Sequence, residues 1–177
     1  TNAAQIKKWV SIGAATVEIH PVAILDQASL GKKYSTRAAN AAACVANYSP
    51  DQFFDFSALL FTNQPKENTE GLSDDKIISL AKQAKVRRGD SISTCITDQD
   101  FKSWTNAATD RATTNPLAGT DVKKLASTPT VIINGKKYSG AINNAADLAI
   151  AVSKASGDRF SEESTATPSP SPSASAG

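Results

Sequence analysis

The sequence predicts an α/β domain in which helices outnumber strands, and three observations carry that prediction. The run Thr128-Pro129-Thr130-Val131-Ile132-Ile133-Asn134-Gly135 reads as a strand entered through a proline and left through a tight hairpin. Residues 15–25, Ala-Thr-Val-Glu-Ile-His-Pro-Val-Ala-Ile-Leu, read as a second strand region. Between them, from Tyr34 to Ala112, apolar residues recur at helical spacing in several separate segments.

The hairpin is the most informative stretch. Asn-Gly is a strong short-range hairpin signal, because both central residues of a type I′ turn need φ above zero. Pro129 cannot donate to a ladder, so it belongs at the first residue of a strand, at an edge or at a bulge. An X-Pro bond gives up only about 0.5–1 kcal/mol in going cis, an amount that tertiary contacts can supply at Thr128-Pro129.

The remaining elements follow in order. Residues 2–12 place Ala3, Ala4, Ile6, Trp9 and Val10 on one face of a short helix that ends before Gly13. In the strand region 15–25, Pro21 argues for an edge or a bulge. The alanine-rich run Tyr34 to Tyr48 is strongly helix-forming and puts Cys44 on a packed face. Ser49 as cap, Pro50 at the first helical position and Gln52 closing a capping box start the next helix, which runs to about Thr62. Its Phe53, Phe54, Phe56, Leu59, Leu60 and Phe61 make it the most apolar helix and the expected hub of the helical region.

Ser73 with Asp74 and Asp75 starts a helix to about Lys85, with Ile77, Ile78, Leu80, Ala81 and Ala84 at helical spacing. Arg87 to Asp90 breaks it. Thr97 with Asp100 is expected to cap a further helix to about Ala112, whose Phe101, Trp104 and Ala108 face inward. Residues 115–127 form a loop, and Asp147 to Val152 belongs to a closing helix. From 157 to 177 the composition turns to Ser, Thr and alternating Pro, which predicts an extended, solvated, disordered tail. The predicted order is helix, strand, four helices, two strands, helix.

Bulk properties narrow the function classes. Of 177 residues, the tail leaves one domain of about 155, which buries about 70% of the surface its unfolded chain exposes. Apolar content of 40% and charged content of 20% are ordinary for a soluble globular chain. A net charge of +2 is too small to steer nucleic acid or an acidic membrane by itself. No apolar run reaches the ~18 residues of a membrane span.

No phosphate loop or dinucleotide fingerprint is present, so no nucleotide cofactor is expected. His20 is the sole histidine and has no Gly-x-Ser-x-Gly and no neighbouring cysteine to work with. One histidine and two distant cysteines do not make zinc-ligand spacing, so no metal is expected either. Lys85, Arg87 and Arg88, like Lys136 and Lys137, lack interleaved aromatics and read as solvated faces and hairpin edges, not as a nucleic-acid surface. Lysines on a strand edge also discourage aggregation.

The proline hairpin followed by a helix from about Asn144 resembles the cis-proline hairpin of the thioredoxin fold. The segments Val17-Glu18-Ile19-His20-Pro21-Val22-Ala23 and Tyr34-Ser35-Thr36-Arg37-Ala38-Ala39-Asn40-Ala41-Ala42-Ala43-Cys44-Val45 are similar to DsbA-like proteins, bacterial thiol-disulfide oxidoreductases that act outside the cytoplasm. The resemblance covers residues 1–156 and implies a thioredoxin fold with a DsbA-type helical insertion over 34–112.

In that family the cis-proline loop faces a catalytic Cys-x-x-Cys at the start of the first core helix, and this sequence has none. Matched to the family pattern, Thr1 falls inside or just past that helix. The expectation is therefore that the first core strand and the catalytic pair lie upstream of Thr1, that the chain carries no catalytic residue, and that it is inactive alone. Without that strand, neighbouring sheet edges and apolar surface stand open.

The resemblance further implies that Thr128 and Pro129 line the substrate groove, that reduced or unfolded secreted polypeptides are the partners, and that a membrane redox protein is a further one. For Cys44 and Cys95 it favours a structural disulfide between insertion helices, with free buried thiols and a second redox pair as the other readings. A non-catalytic thioredoxin-like peptide-binding module is the alternative function. A mostly helical secreted domain with a peripheral hairpin is the third.

Overall fold

A computed structural model describes residues 2–165, with side chains described through Gly157. Along the chain come α1 (Ala3–Ser11), α2 (Tyr34–Tyr48), α3 (Phe53–Thr62), α4 (Asp74–Gln83), α5 (Gly89–Asp98) and α6 (Lys102–Thr114). The hairpin β1 (Ile132–Ile133) and β2 (Lys136–Lys137) and the closing helix α7 (Ala145–Thr165) follow.

The helical half is built around α2, which packs against α3, α4, α5 and α6. Its alanines make this physically possible: a helix whose Ala39, Ala41 and Ala42 are buried lets neighbours approach on several sides. Val45 and Cys44 complete its buried face, and Phe56, Ile77, Leu80, Ile92 and Ile96 from the surrounding helices close the same core. The expectation that α3 is the hub is corrected here. Only Phe56 of α3 is fully buried and Phe61 is 73% exposed, because a helix with bulky side chains all round cannot be enclosed on every side.

Local signals explain most boundaries. Ser73 caps α4 by accepting the Lys76 N–H at 3.2 Å, and Asp74 and Asp75 stand in its first turn, where the helix dipole favours them. The α2 start is held from a distance: the Asp26 carboxylate, in a short 3-10 turn over Asp26–Ser29, accepts the Thr36 N–H at 2.9 Å and its hydroxyl at 2.6 Å.

Ser49 departs from the expected capping box. Its hydroxyl donates to the Gln52 side-chain oxygen and accepts the Arg87 N–H at 2.8 Å, and a 3-10 turn (Pro50–Gln52) precedes α3. The hydroxyl therefore joins two loops instead of serving one helix end.

The largest correction in the helical half is α5, which makes five helices between residues 34 and 114 where four were expected. The break at Arg87–Asp90 is real, since Arg88 takes φ 55°, but the chain re-enters a helix at Gly89. Ile92, Cys95 and Ile96 then fall at i, i+3 and i+4 and are all buried. Thr97 consequently sits inside α5, donating to the Ser93 carbonyl at 3.0 Å, and is no cap for the next helix. The start of α6 is instead held by Asn40 of α2, whose Oδ1 accepts the Phe101 N–H at 2.8 Å. Thr105 takes the inward position on α6, and Trp104, expected inside, is 47% exposed.

Residues 15–23 carry no ladder, contrary to the strand expected over 15–25. Strand propensity does not make a strand without a paired neighbour, and the one sheet among the described residues is the two-stranded hairpin itself. The segment is tied down at its end, where the Ala23 N–H reaches Thr109 Oγ1 at 2.9 Å.

The hairpin has the expected turn: Asn134 at φ 47° and Gly135 at φ 78°, with Ile132 opposite Lys137 and Ile133 opposite Lys136. Gly135 also leaves room for a close approach, since a Cβ there would lie 2.7 Å from the Gly119 carbonyl oxygen. The closing helix runs past the boundary expected at 156, to Thr165. No proline occurs before Pro168 in that stretch, so nothing forces the helix to stop earlier. Residues 166–177 of the expected disordered tail lie outside the described residues.

Asn40 is fully buried, and its side chain also donates to the Cys95 carbonyl at 3.5 Å. Asn40→Leu keeps the branched outline but leaves the Phe101 N–H without its acceptor. The expected loss is about 1–3 kcal/mol of unfolding free energy in urea titration. An unchanged midpoint would remove Asn40 from the account of how α6 is held.

Candidate functional site

The loop that enters β1 is the most exposed part of the sheet half. Thr128 and Pro129 are both exposed, and the peptide bond between them is cis. The turn is pinned from beside, with the Thr130 hydroxyl donating to the Ser127 carbonyl at 2.7 Å. Thr128 itself makes no hydrogen bond among the described residues, and Pro129 has no N–H to offer. The Thr128 N–H and C=O are therefore free for an incoming extended chain, which is the way a peptide adds to a strand edge.

Neighbouring groups hold this loop from behind. The Asp121 N–H donates to the Gly135 carbonyl at 2.8 Å, and its carboxylate accepts the Lys137 N–H at 2.8 Å. The Tyr138 N–H donates to the Val131 carbonyl at 2.9 Å, and the Asn134 side chain donates to the Ala155 carbonyl of α7 at 3.1 Å.

The opening helix α1 meets the segment that follows the hairpin, where the Asn2 side chain donates to the Ile142 carbonyl at 2.7 Å. Its other tether is an exposed ion pair, Lys7 to Asp55 of α3 at 2.7 Å. No hydrogen bond joins α1 to Thr128 or Pro129 among the described residues, and no strand runs between them. None of α1 is fully buried, and Ile12 is 66% exposed.

Cys44 of α2 and Cys95 of α5 are joined by a disulfide, with both residues wholly buried and their Cα atoms 6.0 Å apart. Val45, Ile77, Ile92 and Ile96 share the cluster around it. Thiol-disulfide exchange needs a thiolate to reach a sulfur, and no path leads into this core. The bridge therefore acts on stability and is not placed to act on a substrate.

His20 lies at 3.3 Å from the Glu18 carboxylate with both side chains 80% exposed, a pairing of little energetic consequence. No cluster of candidate metal ligands occurs among the described residues. Arg88 rests over the Tyr48 ring at 5.1 Å from its centroid, and Arg87 reaches Asp51 at 3.5 Å in solvent. These basic residues cover exposed faces, and Lys136 and Lys137 are exposed on β2.

A shallow cleft elsewhere is lined by Leu25, Tyr34, Gln64, Pro65 and Gly71, among others. It lies beside α2, far along the chain from the proline loop. Burial pushes the Tyr34 hydroxyl above its ordinary pKa, opposed in part by the Arg37 guanidinium over the same ring.

With this geometry in view, the relationships of the chain are plain. The thioredoxin family model matches residues 3–150, and the chain belongs to that family. Within it the chain is a DsbA-like thioredoxin-fold protein. The reduced form of the disulfide bond oxidoreductase DsbG from Mycobacterium tuberculosis is 31% identical over 94% of this chain and 75% of that one, with a TM-score of 0.69. Oxidized DsbA from the same organism is 32% identical over 93% of this chain and 79% of its own, again with a TM-score of 0.69. No curated protein matches. The helices between residues 34 and 114 are thus an insertion in a thioredoxin-like fold, and the cis bond at Pro129 counts against a mostly helical domain with a peripheral hairpin.

Three outcomes follow from this arrangement. Without reductant, alkylation leaves the intact mass unchanged, since the chain has two cysteines and both are in the bridge. Replacing both with alanine lowers unfolding free energy by about 2–4 kcal/mol, and free thiols in the unreduced protein would refute the bridge. In ultraviolet titration, one tyrosine ionises above the ordinary range, and Tyr34→Phe removes that step. The folded state favours the neutral hydroxyl, so this contribution to stability is present at neutral pH and is lost as pH rises through the folded pKa.

Proposed function

We propose that the chain is the substrate-binding and structural part of a DsbA-like thiol-disulfide oxidoreductase. It acts outside the cytoplasm on reduced or unfolded secreted polypeptides, and its Cys-x-x-Cys stands upstream of Thr1. The observation that carries this reading is the exposed Thr128-Pro129 step, with unused backbone groups, on a chain matched along nearly its whole length by disulfide oxidoreductases.

The division of labour is physical. An extended substrate pairs with the Thr128 backbone and is held beside the reactive pair. That pair, at a helix amino terminus, has its thiolate stabilised by the helix dipole and by unpaired N–H groups. Exchange then passes through a mixed disulfide: one thiolate attacks a disulfide sulfur, the other sulfur leaves as a thiolate, and a second thiol resolves the intermediate. Two electrons and two protons move from the dithiol partner to the disulfide partner, and a membrane redox protein restores the starting state. No metal or nucleotide takes part.

Supporting points come from the sheet half. Residues 15–23 have strand-like sequence without a partner, Ile19 is 45% exposed, and the ladder stops after two residues a side. A strand laid between them would satisfy those backbone groups and cover that apolar surface. A buried disulfide in a chain without other cysteines fits an oxidising compartment. No described helix is long and apolar enough to cross a membrane.

A second reading is a non-catalytic peptide-binding module, favoured by one fact: both cysteines of the chain are sequestered in the core bridge. The test is oxidation of a reduced substrate, or reduction of insulin, by this chain and by a version extended upstream through the natural coding sequence. The chain alone is expected to be inert and the extended protein active. Robust turnover by this sequence alone, or an upstream region without Cys-x-x-Cys, overturns the proposal.

A further inference from the structure

The charge of this chain is not evenly spread. Between Val122 and Ala146 there are four lysines, Lys123, Lys124, Lys136 and Lys137, and no Asp or Glu. The rest of the sequence holds fifteen basic against seventeen acidic residues, since the totals are 19 and 17. The whole positive excess therefore belongs to the hairpin and the loop that leads to it.

The fold brings the loop that carries Lys123 and Lys124 beside the strand that carries Lys136 and Lys137. Lys123 and Lys124 follow Asp121, which is hydrogen-bonded through its N–H to Gly135 and through its carboxylate to the Lys137 N–H, so the loop lies directly against β2. Lys124 precedes Thr128 by four residues, no more than about 14 Å even if fully extended. Across the ladder, Lys136 and Lys137 sit opposite Ile133 and Ile132, a few residues beyond Pro129. All four lysines are exposed, and none makes an ion pair among the described residues. Asp121, which holds the loop against the hairpin, already accepts a backbone N–H.

The geometry points to a substrate preference: the Thr128-Pro129 groove selects extended polypeptide segments that carry Asp or Glu near the cysteine. This rests on the groove reading given above and adds the chemical class of what enters it. At 0.01 M salt the Debye length is about 30 Å, so unpaired lysines this near the loop raise the encounter rate and the affinity of acidic sequences, and they lower those of basic ones. Nucleic acid is the weaker candidate for the same charge, because the loop exposes free backbone for strand pairing and no aromatic side chain for stacking bases.

The test uses two unstructured peptides of equal length, one with Glu and one with Lys around a central Ser. Fluorescence anisotropy reads their binding, and the Thr128 amide resonance reports where they bind. The Glu peptide is expected to bind about tenfold more tightly at low ionic strength, with the difference shrinking as salt is added. Lys123→Gln with Lys124→Gln, on the loop and outside the ladder, reduces that preference about threefold. Glu at all four positions inverts it.

If both peptides shift the Thr128 amide with equal affinity, the acidic preference is wrong and the groove stands. If neither shifts it, the groove reading falls and this inference with it. If duplex DNA of the same charge displaces the Glu peptide as well as free Glu peptide does, the surface is a general polyanion patch and the preference for polypeptide is refuted.

Discussion

The slenderness of α2 is the constraint on which the helical half depends. Four helices can share one neighbour only if that neighbour keeps its side chains short, and Ala39, Ala41 and Ala42 meet the condition. The few larger or polar groups on α2 then become fasteners, each aimed at a different element. Thr36 takes the Asp26 carboxylate, Asn40 receives the Phe101 N–H at the start of α6, and Cys44 is bonded to α5. On the remaining side the Arg37 guanidinium reaches the Leu72 carbonyl and the Asp74 carboxylate, tying the long loop before α4. These fasteners share neighbours, so their contributions to stability are coupled and not simply additive.

The sheet half is held in a different way. It has Val122 and Leu148 as its nearly buried apolar residues, against the dense cluster of the insertion, and its ladder is two residues deep on each strand. A hairpin of that size is marginal by itself, and here it leans on α7 and on the Asp121 loop. Opening free energies follow burial and contact density, so the proline loop belongs to the least protected part of the described chain. Binding surfaces are commonly drawn from such regions, because a loop that must exchange its contacts for those of a partner cannot already be locked by its own.

How much of this was legible in the sequence depends on whether the signal was local. Ser73 before two aspartates, Asn134-Gly135 after three β-branched residues and the alanine run of α2 are short-range instructions, and the chain follows them. Helix α5 was missed because Arg87 to Asp90 reads as a stop, whereas Arg88 in the left-handed region is a bend from which Gly89 starts again. The spacing of Ile92, Cys95 and Ile96 was the available clue. Trp104 was misplaced because a sparse apolar pattern on a polar helix does not say which face meets the core, and Thr105 won that position. The strand expected over 15–25 is absent for the opposite reason: its propensity is real, but pairing is a long-range property that no window of sequence contains. At the candidate site Thr128 and Pro129 stood out by their chemistry, whereas the grouping of Lys123 and Lys124 with Lys136 and Lys137 required the fold.

The placement of sulfur completes the argument. A protein that exchanges disulfides for a living must keep any structural bridge of its own out of the reaction, because an accessible one would be attacked by the same thiolates it handles. Here the bridge is wholly buried in the insertion, joined to α2 on one side and α5 on the other, while the exposed proline loop lies in the half without a cysteine. Burial protects the first, and the second is open to solvent. Under the proposed function, the separation of a dense helical half from a lightly held sheet half would let one chain contain a permanent disulfide and present a surface for transient ones.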